Sequence, residues 1–265
     1  MKNAKIIGVG HYAPPKIWTN HDLEQMMDTS DEWIRQRTGI EQRHIAEPGV
    51  GSSDLGYEAA LRAIDDAGLK PNDIDLIVFA TLSPDYYFPG NGVLLQKKLG
   101  IAEIGAIDVR QQCSGFIYGL SVANAYIKAG EYRHVLVVGA EVQHSFLEFT
   151  TEGRNTAVIF GDAAGAVVVA PTEEDGILST HLHSQGEFAE MLYIEGPSPK
   201  REPHISHQDI DDRRHRIVME GGAVFKHAVR RFAESINEAL AANNKQLDDV
   251  DLFVLHQANI RISNV

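Results

Sequence analysis

The sequence predicts an α/β fold with mainly parallel strand pairing, built as two copies of one unit. Three observations predict it. Apolar runs of strand length alternate with amphipathic stretches of helix length. Residues 135–138 form an unbroken, mostly β-branched apolar run, the pattern of a strand buried on both faces. Finally, Asp73-Ile74-Asp75-Leu76-Ile77-Val78-Phe79 matches Asp249-Val250-Asp251-Leu252-Phe253-Val254-Leu255, with Asp75 and Asp251 176 positions apart. Each copy follows an alanine-rich helix and a turn. Two such copies pack as two sheets sharing a helical layer; chance likeness between two helix–strand units is the alternative.

Taken in order, residues 5–10 read as a first strand. Gly8-Val9-Gly10-His11-Tyr12-Ala13 mimics a dinucleotide-binding fingerprint, but Pro14-Pro15 follow where that motif requires a continuing helix. Thr19-Asn20 opens a short helix over 22–27. Ser30-Asp31-Glu32 opens another, ended by Thr38-Gly39-Ile40. Ser53 is placed to cap a helix over 54–67, closed by Gly68. Residues 74–80 are a strand. Ser83-Pro84-Asp85-Tyr86-Tyr87-Phe88-Pro89-Gly90 is an aromatic loop full of chain breakers. A helix over 91–99, a strand over 104–109, a helix over 113–129 and the strand at 135–138 follow. Residues 157–160 and 166–170 read as a β pair around Gly161-Asp162-Ala163-Ala164-Gly165, and Pro171-Thr172-Glu173-Glu174-Asp175-Gly176 is an acidic linker. The pattern then restarts: a strand over 177–183, a proline-rich loop over 184–216, an amphipathic helix over 222–242 and a strand over 250–255. The division expected is 1–171 for the first half and 172–265 for the second. About 90 residues separate Phe79 from the end of the first copy, whereas ten follow Leu255, so the second copy reads as cut short.

Lys and Arg number 24 and Asp and Glu 37, a formal charge of −13. Nucleic acid, which demands a basic surface, is therefore not an expected partner. One cysteine excludes an intrachain disulfide framework and suits a reducing compartment. Without a basic-then-apolar leader or a membrane-length apolar run, the reading is a soluble cytoplasmic protein with no membrane partner.

That single cysteine lies in Asp108-Val109-Arg110-Gln111-Gln112-Cys113-Ser114-Gly115-Phe116. Phe116, Leu120, Ala123 and Ile127 fall at i, i+4, i+7 and i+11, a helix stripe, and Gly130 closes the helix. Cys113 thus sits at a strand-to-helix turn, where unpaired N–H groups and the helix dipole favour a thiolate. Two readings fit the position: an activated nucleophile, or a small buried core residue.

Five stretches together bear a family likeness. Asp28-Thr29-Ser30-Asp31-Glu32-Trp33-Ile34, Arg37-Thr38-Gly39-Ile40, Cys113-Ser114-Gly115-Phe116, Phe160-Gly161-Asp162-Ala163-Ala164-Gly165-Ala166 and His256-Gln257-Ala258-Asn259-Ile260-Arg261 resemble β-ketoacyl-acyl-carrier-protein synthase III, in the family's order. The resemblance implies a thiolase-like fold, with duplicated βαβ halves in a layered α-β-α-β-α arrangement, and a homodimer. It implies an acyltransferase that initiates fatty-acid synthesis. An acyl-CoA primer is condensed with malonyl-acyl carrier protein, with loss of carbon dioxide, through an acyl-cysteine. Acyl-CoA is a substrate, so no cofactor is expected. Cys113 and His256 match two members of a Cys-His-Asn triad; no residue here matches the asparagine, in keeping with the short second copy. By position, Trp33 resembles a residue that stacks on adenine, with Arg37, Thr38 and Arg154 near the nucleotide and phosphates. Phe225 and Lys226 match the pantetheine and carrier-protein region. Gln257, Ala258, Asn259, Ile260 and Arg261 match the carrier-protein segment. Lys226, Arg230, Arg231 and Arg261 are candidates for a basic docking patch, or else part of a solvated charged face.

Three departures from the family pattern leave the primer open: Arg110-Gln111-Gln112 before the cysteine, Gly222 in place of an asparagine, and the bulky Tyr86-Tyr87-Phe88. Acetyl-CoA is the default. A longer or secondary-metabolite starter is the alternative, as is an inactive relative that binds a carrier protein. A metal hydrolase using His181, His183, His204, His207 and His215 lacks ligand spacing and a glutamate partner motif, so no metal is expected.

Overall fold

The structure, a computed structural model, describes residues 3–264. Along the chain run β1 (Asn3–Tyr12), β2 (Ile17–Thr19), α1 (Asn20–Glu24), α2 (Asp31–Thr38), β3 (Gln42–His44), α3 (Ser52–Asp66), β4 (Leu76–Ala80), α4 (Asn91–Leu99) and β5 (Gly105–Val109). Then come α5 (Gly115–Ala129), β6 (Val135–Val142), α6 (Arg154–Ala157), β7 (Asp162–Thr172), β8 (Leu192–Tyr193), α7 (His207–Asp211), β9 (Val218–Met219), α8 (Gly221–Ala242) and α9 (Ile260–Ser263).

The chain forms two compact units. The first comprises residues 1–17, 44–142 and 161–182, the second residues 18–43, 143–160 and 183–265. These units do not follow the 1–171 and 172–265 division in chain order, because two excursions of the early chain join the later one.

The first unit is built on a five-stranded sheet of order β1-β7-β6-β4-β5. β4 pairs parallel with both β5 and β6, while β7 pairs antiparallel with β6 and β1. The expected mainly parallel sheet is therefore half parallel. The correction lies at β7: residues 157–160 do not form a strand against 166–170, since Ala157 closes α6, and β7 instead runs unbroken between β6 and β1. β4 is buried along its whole length, as a strand covered on both faces must be. Its side chains alternate in allegiance. Ile77 and Phe79 join Ala59, Ala60 and Ala63 of α3 and Leu95 of α4. Leu76 and Val78 join Ala123 and Ile127 of α5. Each large apolar side chain buried this way contributes roughly 1.5–3 kcal/mol.

The Gly8–Gly10 motif finds its explanation here. A Cβ on Gly10 would lie 2.2 Å from the Ala59 carbonyl oxygen, and one on Gly8 2.3 Å from that of Ala63. The glycines let α3 lie directly on β1; they are not a phosphate cradle.

α3 begins two residues earlier than expected. Gly51 is the N-cap, and Ser53 lies inside the helix with its N–H donating to Asp85 at 3.0 Å. A carboxylate from a distant loop does the work expected of a local hydroxyl.

In the second unit, α1 and α2 are capped by Thr19 and Ser30. Leu23, Met27, Ile34, Leu147, Ala157 and Val158 make its core. Arg43 is buried among them and donates to the Trp18 carbonyl, Asn20 Oδ1 and the Val158 carbonyl. Burial lowers its pKa to about 10, against the pull of Asp22, so it stays charged at neutral pH. α8 is amphipathic, yet none of its residues is fully buried.

Two further expected strands are absent. Residues 250–255 run without ladder partners among the described residues, with Leu252 74% and Val254 84% exposed. A strand needs a neighbour for its backbone groups, and among the described residues none pairs with this one. Residues 177–183 likewise form no strand, although the Ile177 N–H donates to the Ala4 carbonyl at 2.7 Å. Among the described residues no helix is long and apolar enough to cross a membrane.

Gly10→Ala should test the β1–α3 contact. The neighbouring atom is helix backbone and cannot rotate away, so the substitution should cost about 1–3 kcal/mol or more. Denaturant unfolding reads it; an unchanged midpoint would show that α3 does not depend on this approach.

Candidate active site

The parallel strands β5, β4 and β6 end along one edge of the first unit's sheet, and the cysteine turn starts there. The Thr81 N–H, just past β4, donates to the carbonyl of Val109, the last residue of β5, at 3.2 Å. The chain then turns sharply. Gln112 adopts φ +45°, a left-handed conformation that is unusual for a side chain of its size. Holding it there costs on the order of 1–3 kcal/mol, and such outliers gather at functional turns. A 3₁₀ turn, Gln112–Ser114, leads into α5. The Ser114 hydroxyl donates to the Gln111 carbonyl at 2.9 Å. Gly115 lies close under Ala80, with a notional Cβ 3.2 Å away.

Cys113 is exposed on this turn. The expected low pKa is not met. Burial pushes the Cys113 thiol up, the charge of Glu141 adds to that, and the residue's own backbone N–H works the other way. Because the side chain is open to solvent, the Glu141 charge is the better-founded part of the rise. Both influences oppose ionisation of the Cys113 thiol.

Glu141 is the residue that sequence reading missed. Its carboxylate accepts from the Leu82 N–H at 2.8 Å, from Ser83 Oγ at 2.7 Å and from Thr81 Oγ1 at 3.4 Å. A lone carboxylate at the end of the apolar run 135–142 was the available signal. Two other carboxylates hold the same region. Asp108 in β5 accepts from the N–H groups of Asn91 and Gly92 at 2.6 and 2.9 Å, at the start of α4. Asp85 receives the Asn91 amide at 3.2 Å as well as the start of α3.

The second unit gathers most of the remaining candidates. On α2 the Arg37 guanidinium lies 4.5 Å from the centre of the Trp33 ring, and Arg154 lies 5.1 Å from it. Arg154 also donates to the Asp28 carbonyl at 2.6 Å. Trp33, Arg37 and Arg154 thus form one cationic aromatic cluster. Thr38 stands apart from it: it is buried, and its hydroxyl donates to the Ile34 carbonyl and accepts the Ile40 N–H. That hydroxyl is committed to ending α2.

Past α2, a Cβ on Gly39 would meet Ile260 at 2.8 Å, so the 256–261 segment reaches the end of this helix. Arg261 lies 5.9 Å from the Phe225 ring on α8. Asn259 caps α9 by accepting the Arg261 N–H at 2.9 Å, while Gln257 is exposed and Ala258 half-buried. His256, in the same segment, has its pKa lowered by burial although its side chain is largely open. The lowered pKa favours the neutral imidazole, which can donate one hydrogen bond.

The expected basic patch divides. Arg230 and Arg231 both pair with Glu234 and read as a compensated surface. Lys226 and Arg261 form no ion pair among the described residues. Among those residues no group of His, Cys, Asp and Glu is arranged to hold a metal. His183 instead pairs with Glu238 at 2.6 Å. An open cavity of about 560 Å³, lined by Trp18, Phe149, Arg213 and His215 among others, holds none of the residues matched to the acyl-transfer or CoA sites.

The profile of the family described as 3-Oxoacyl-[acyl-carrier-protein (ACP)] synthase III matches residues 107–186, the stretch that holds the cysteine turn. The β-ketoacyl-[acyl-carrier-protein] synthase III of Ehrlichia canis is 45% identical over 264 residues, covering 99% of this chain and 79% of its own. Among solved structures, 3-oxoacyl-[acyl-carrier-protein] synthase III from Aquifex aeolicus VF5 superposes with a TM-score of 0.89 at 39% identity, over 98% of this chain and 79% of that one. The priming β-ketosynthase of the R1128 polyketide biosynthetic pathway gives 0.90 at 33% identity, over 99% and 77%. The fold is the thiolase-like α/β fold of these enzymes. With close to half its residues shared along almost its whole length, the chain belongs to the β-ketoacyl-[acyl-carrier-protein] synthase III family.

Proposed function

We propose that the chain transfers an acyl group from acyl-CoA to Cys113 and then to the carbanion formed from malonyl-acyl carrier protein, initiating fatty-acid synthesis. The observation that carries this is the only cysteine, exposed on a strained strand-to-helix turn at the ends of three parallel strands. In the first half-reaction the Cys113 sulfur forms a bond to the acyl carbon and the bond to the CoA sulfur breaks. The thiol proton leaves with CoA as its free thiol. The backbone N–H of Cys113 serves the oxyanion of this step. In the second half-reaction malonyl-acyl carrier protein loses carbon dioxide. His256, as the neutral imidazole, donates to the enolate oxygen. The carbanion attacks the acyl-cysteine carbonyl, the thiolate leaves, and a β-ketoacyl product departs on the carrier.

Trp33, Arg37 and Arg154 suit the nucleotide end of CoA: an aromatic face for adenine and two guanidinium forks for phosphate. Phe225 and Ala258 suit the pantetheine arm. Lys226 and Arg261, with Gln257, Asn259 and Ile260 beside them, suit an acidic carrier protein, since the chain is otherwise strongly acidic. Thr38 is assigned only to shaping the end of α2. The reaction requires no cofactor, because CoA enters and leaves as a substrate. We further assign the enzyme to the cytoplasm and to a homodimer, on the family resemblance. The primer is acetyl-CoA. The likeness to a polyketide priming enzyme makes a non-acetyl starter the competing donor.

Incubation with acyl-CoAs of graded length should add one acyl mass to the peptide that contains Cys113, most rapidly with the true primer. No adduct on that peptide with any donor would contradict the assignment and favour a carrier-binding relative without activity. Trp33→Ala should weaken the use of acyl-CoA by about 1–3 kcal/mol, the range for loss of a base-stacking aromatic. It should leave transfer from an acyl-pantetheine lacking the nucleotide nearly unchanged. Equal loss with both donors would make Trp33 a core residue.

A further inference from the structure

We propose that Glu141 is a positioning residue for the Cys113 nucleophile: its carboxylate clamps the 81–83 loop and, through it, the end of β5 from which the cysteine turn departs. This rests on reading Cys113 as the acylated residue. The register places the parts. Ala80 stands opposite Gly139 on β6 and Val109 on β5. Residues two apart on a strand share a face, so Glu141 lies on the face of Gly139 and Val137. That is the α5 face: Val137 packs with Ala123 and Ile127, and a Cβ on Gly139 would be 3.4 Å from Phe116. Cys113 begins the turn into the same helix.

The clamp has contacts at both ends. Leu82 N–H and Ser83 Oγ give the carboxylate its two shorter bonds, and Thr81 Oγ1 gives a longer one. Ser83 Oγ in turn accepts the Val142 N–H at 2.8 Å, so loop and strand are tied in both directions. Thr81 and Ser83 are buried, which protects these bonds from competing water. The Thr81 N–H then holds Val109. Four residues further on is Cys113.

A fixed carboxylate on the α5 face also opposes ionisation of the thiol. Among the described residues, Glu141 is the charged group that bears on Cys113. Thr81, Leu82 and Ser83 meet the carboxylate from the loop after β4, and Arg110 on the turn is exposed. The same side chain therefore holds the turn in place and opposes ionisation of the cysteine.

Alkylation by iodoacetamide, followed against pH on the Cys113 peptide, separates these effects, because the protein has no second thiol. Glu141→Gln keeps the size and the acceptor for Leu82 but removes the charge; its alkylation midpoint should fall to lower pH. Glu141→Asp keeps the charge and should stay close to the parent. Glu141→Ala should slow acylation by acyl-CoA at least tenfold even at a pH where the thiol is ionised. A Glu141→Gln midpoint at or above the parent's overturns the proposal, as does full-rate acylation by Glu141→Ala. Should these variants fail to fold, Ser83→Ala takes one donor from the clamp and leaves the charge. Slower acylation with an unmoved midpoint supports the proposal, and unchanged acylation overturns it. If the parent protein is alkylated but never acylated, the acyl-cysteine reading fails, and the midpoint comparison still judges Glu141.

Discussion

Parallel pairing of β4 with both β5 and β6 brings three strand ends to one edge of the first unit's sheet, and the chemistry of that unit depends on it. In open sheets with parallel strands, the loops beyond the carboxyl ends are where ligands are met. Here the edge is closed by hydrogen bonds from one loop to the next. Thr81 reaches β5, Glu141 reaches back from β6 to the loop after β4, and Asp108 and Asp85 take the starts of α4 and α3. Each of these carboxylates meets N–H groups that would otherwise lack partners, at 2.6 to 3.0 Å. The turn that carries Cys113 thus departs from a framework fixed on both sides. That is the condition under which a side chain such as Gln112 can be held at a left-handed φ.

The second unit works by a different principle. Its candidate residues lie on a helix end and on segments that approach it, with contacts dominated by cations over aromatic rings. Such contacts are soft and exchangeable. In the CoA site proposed above, a guanidinium resting on Trp33 would turn to a phosphate as adenine took its place on the ring. By contrast Arg230 and Arg231 already pair with Glu234 on the surface.

Much of this was legible in the sequence, and the exceptions have physical causes. The helix ends at Gly39 and Gly130, the caps at Thr19 and Ser30, the buried run of β6 and the cysteine turn all follow from local signals, and all are present. Strands fared worse wherever pairing decided the outcome. Residues 250–255 carry the right pattern without a neighbour, and β7 found partners that its own sequence does not name. Position alone put Cys113 at a helix start and suggested a lowered pKa. The opposing charge comes from Glu141, 28 residues later, which only the register brings near. Likewise Thr38 resembles a ligand residue, but its hydroxyl is spent on its own helix.

The central claim is that one sulfur carries the acyl group between two substrates. Cys113→Ala, shown by its thermal midpoint to be folded, should be assayed for β-ketoacyl product from acyl-CoA and malonyl-acyl carrier protein. The account predicts that condensation is lost while the folded state is kept, since no other thiol exists in the chain to take the acyl group. Product formed at the parental rate by that variant would contradict it.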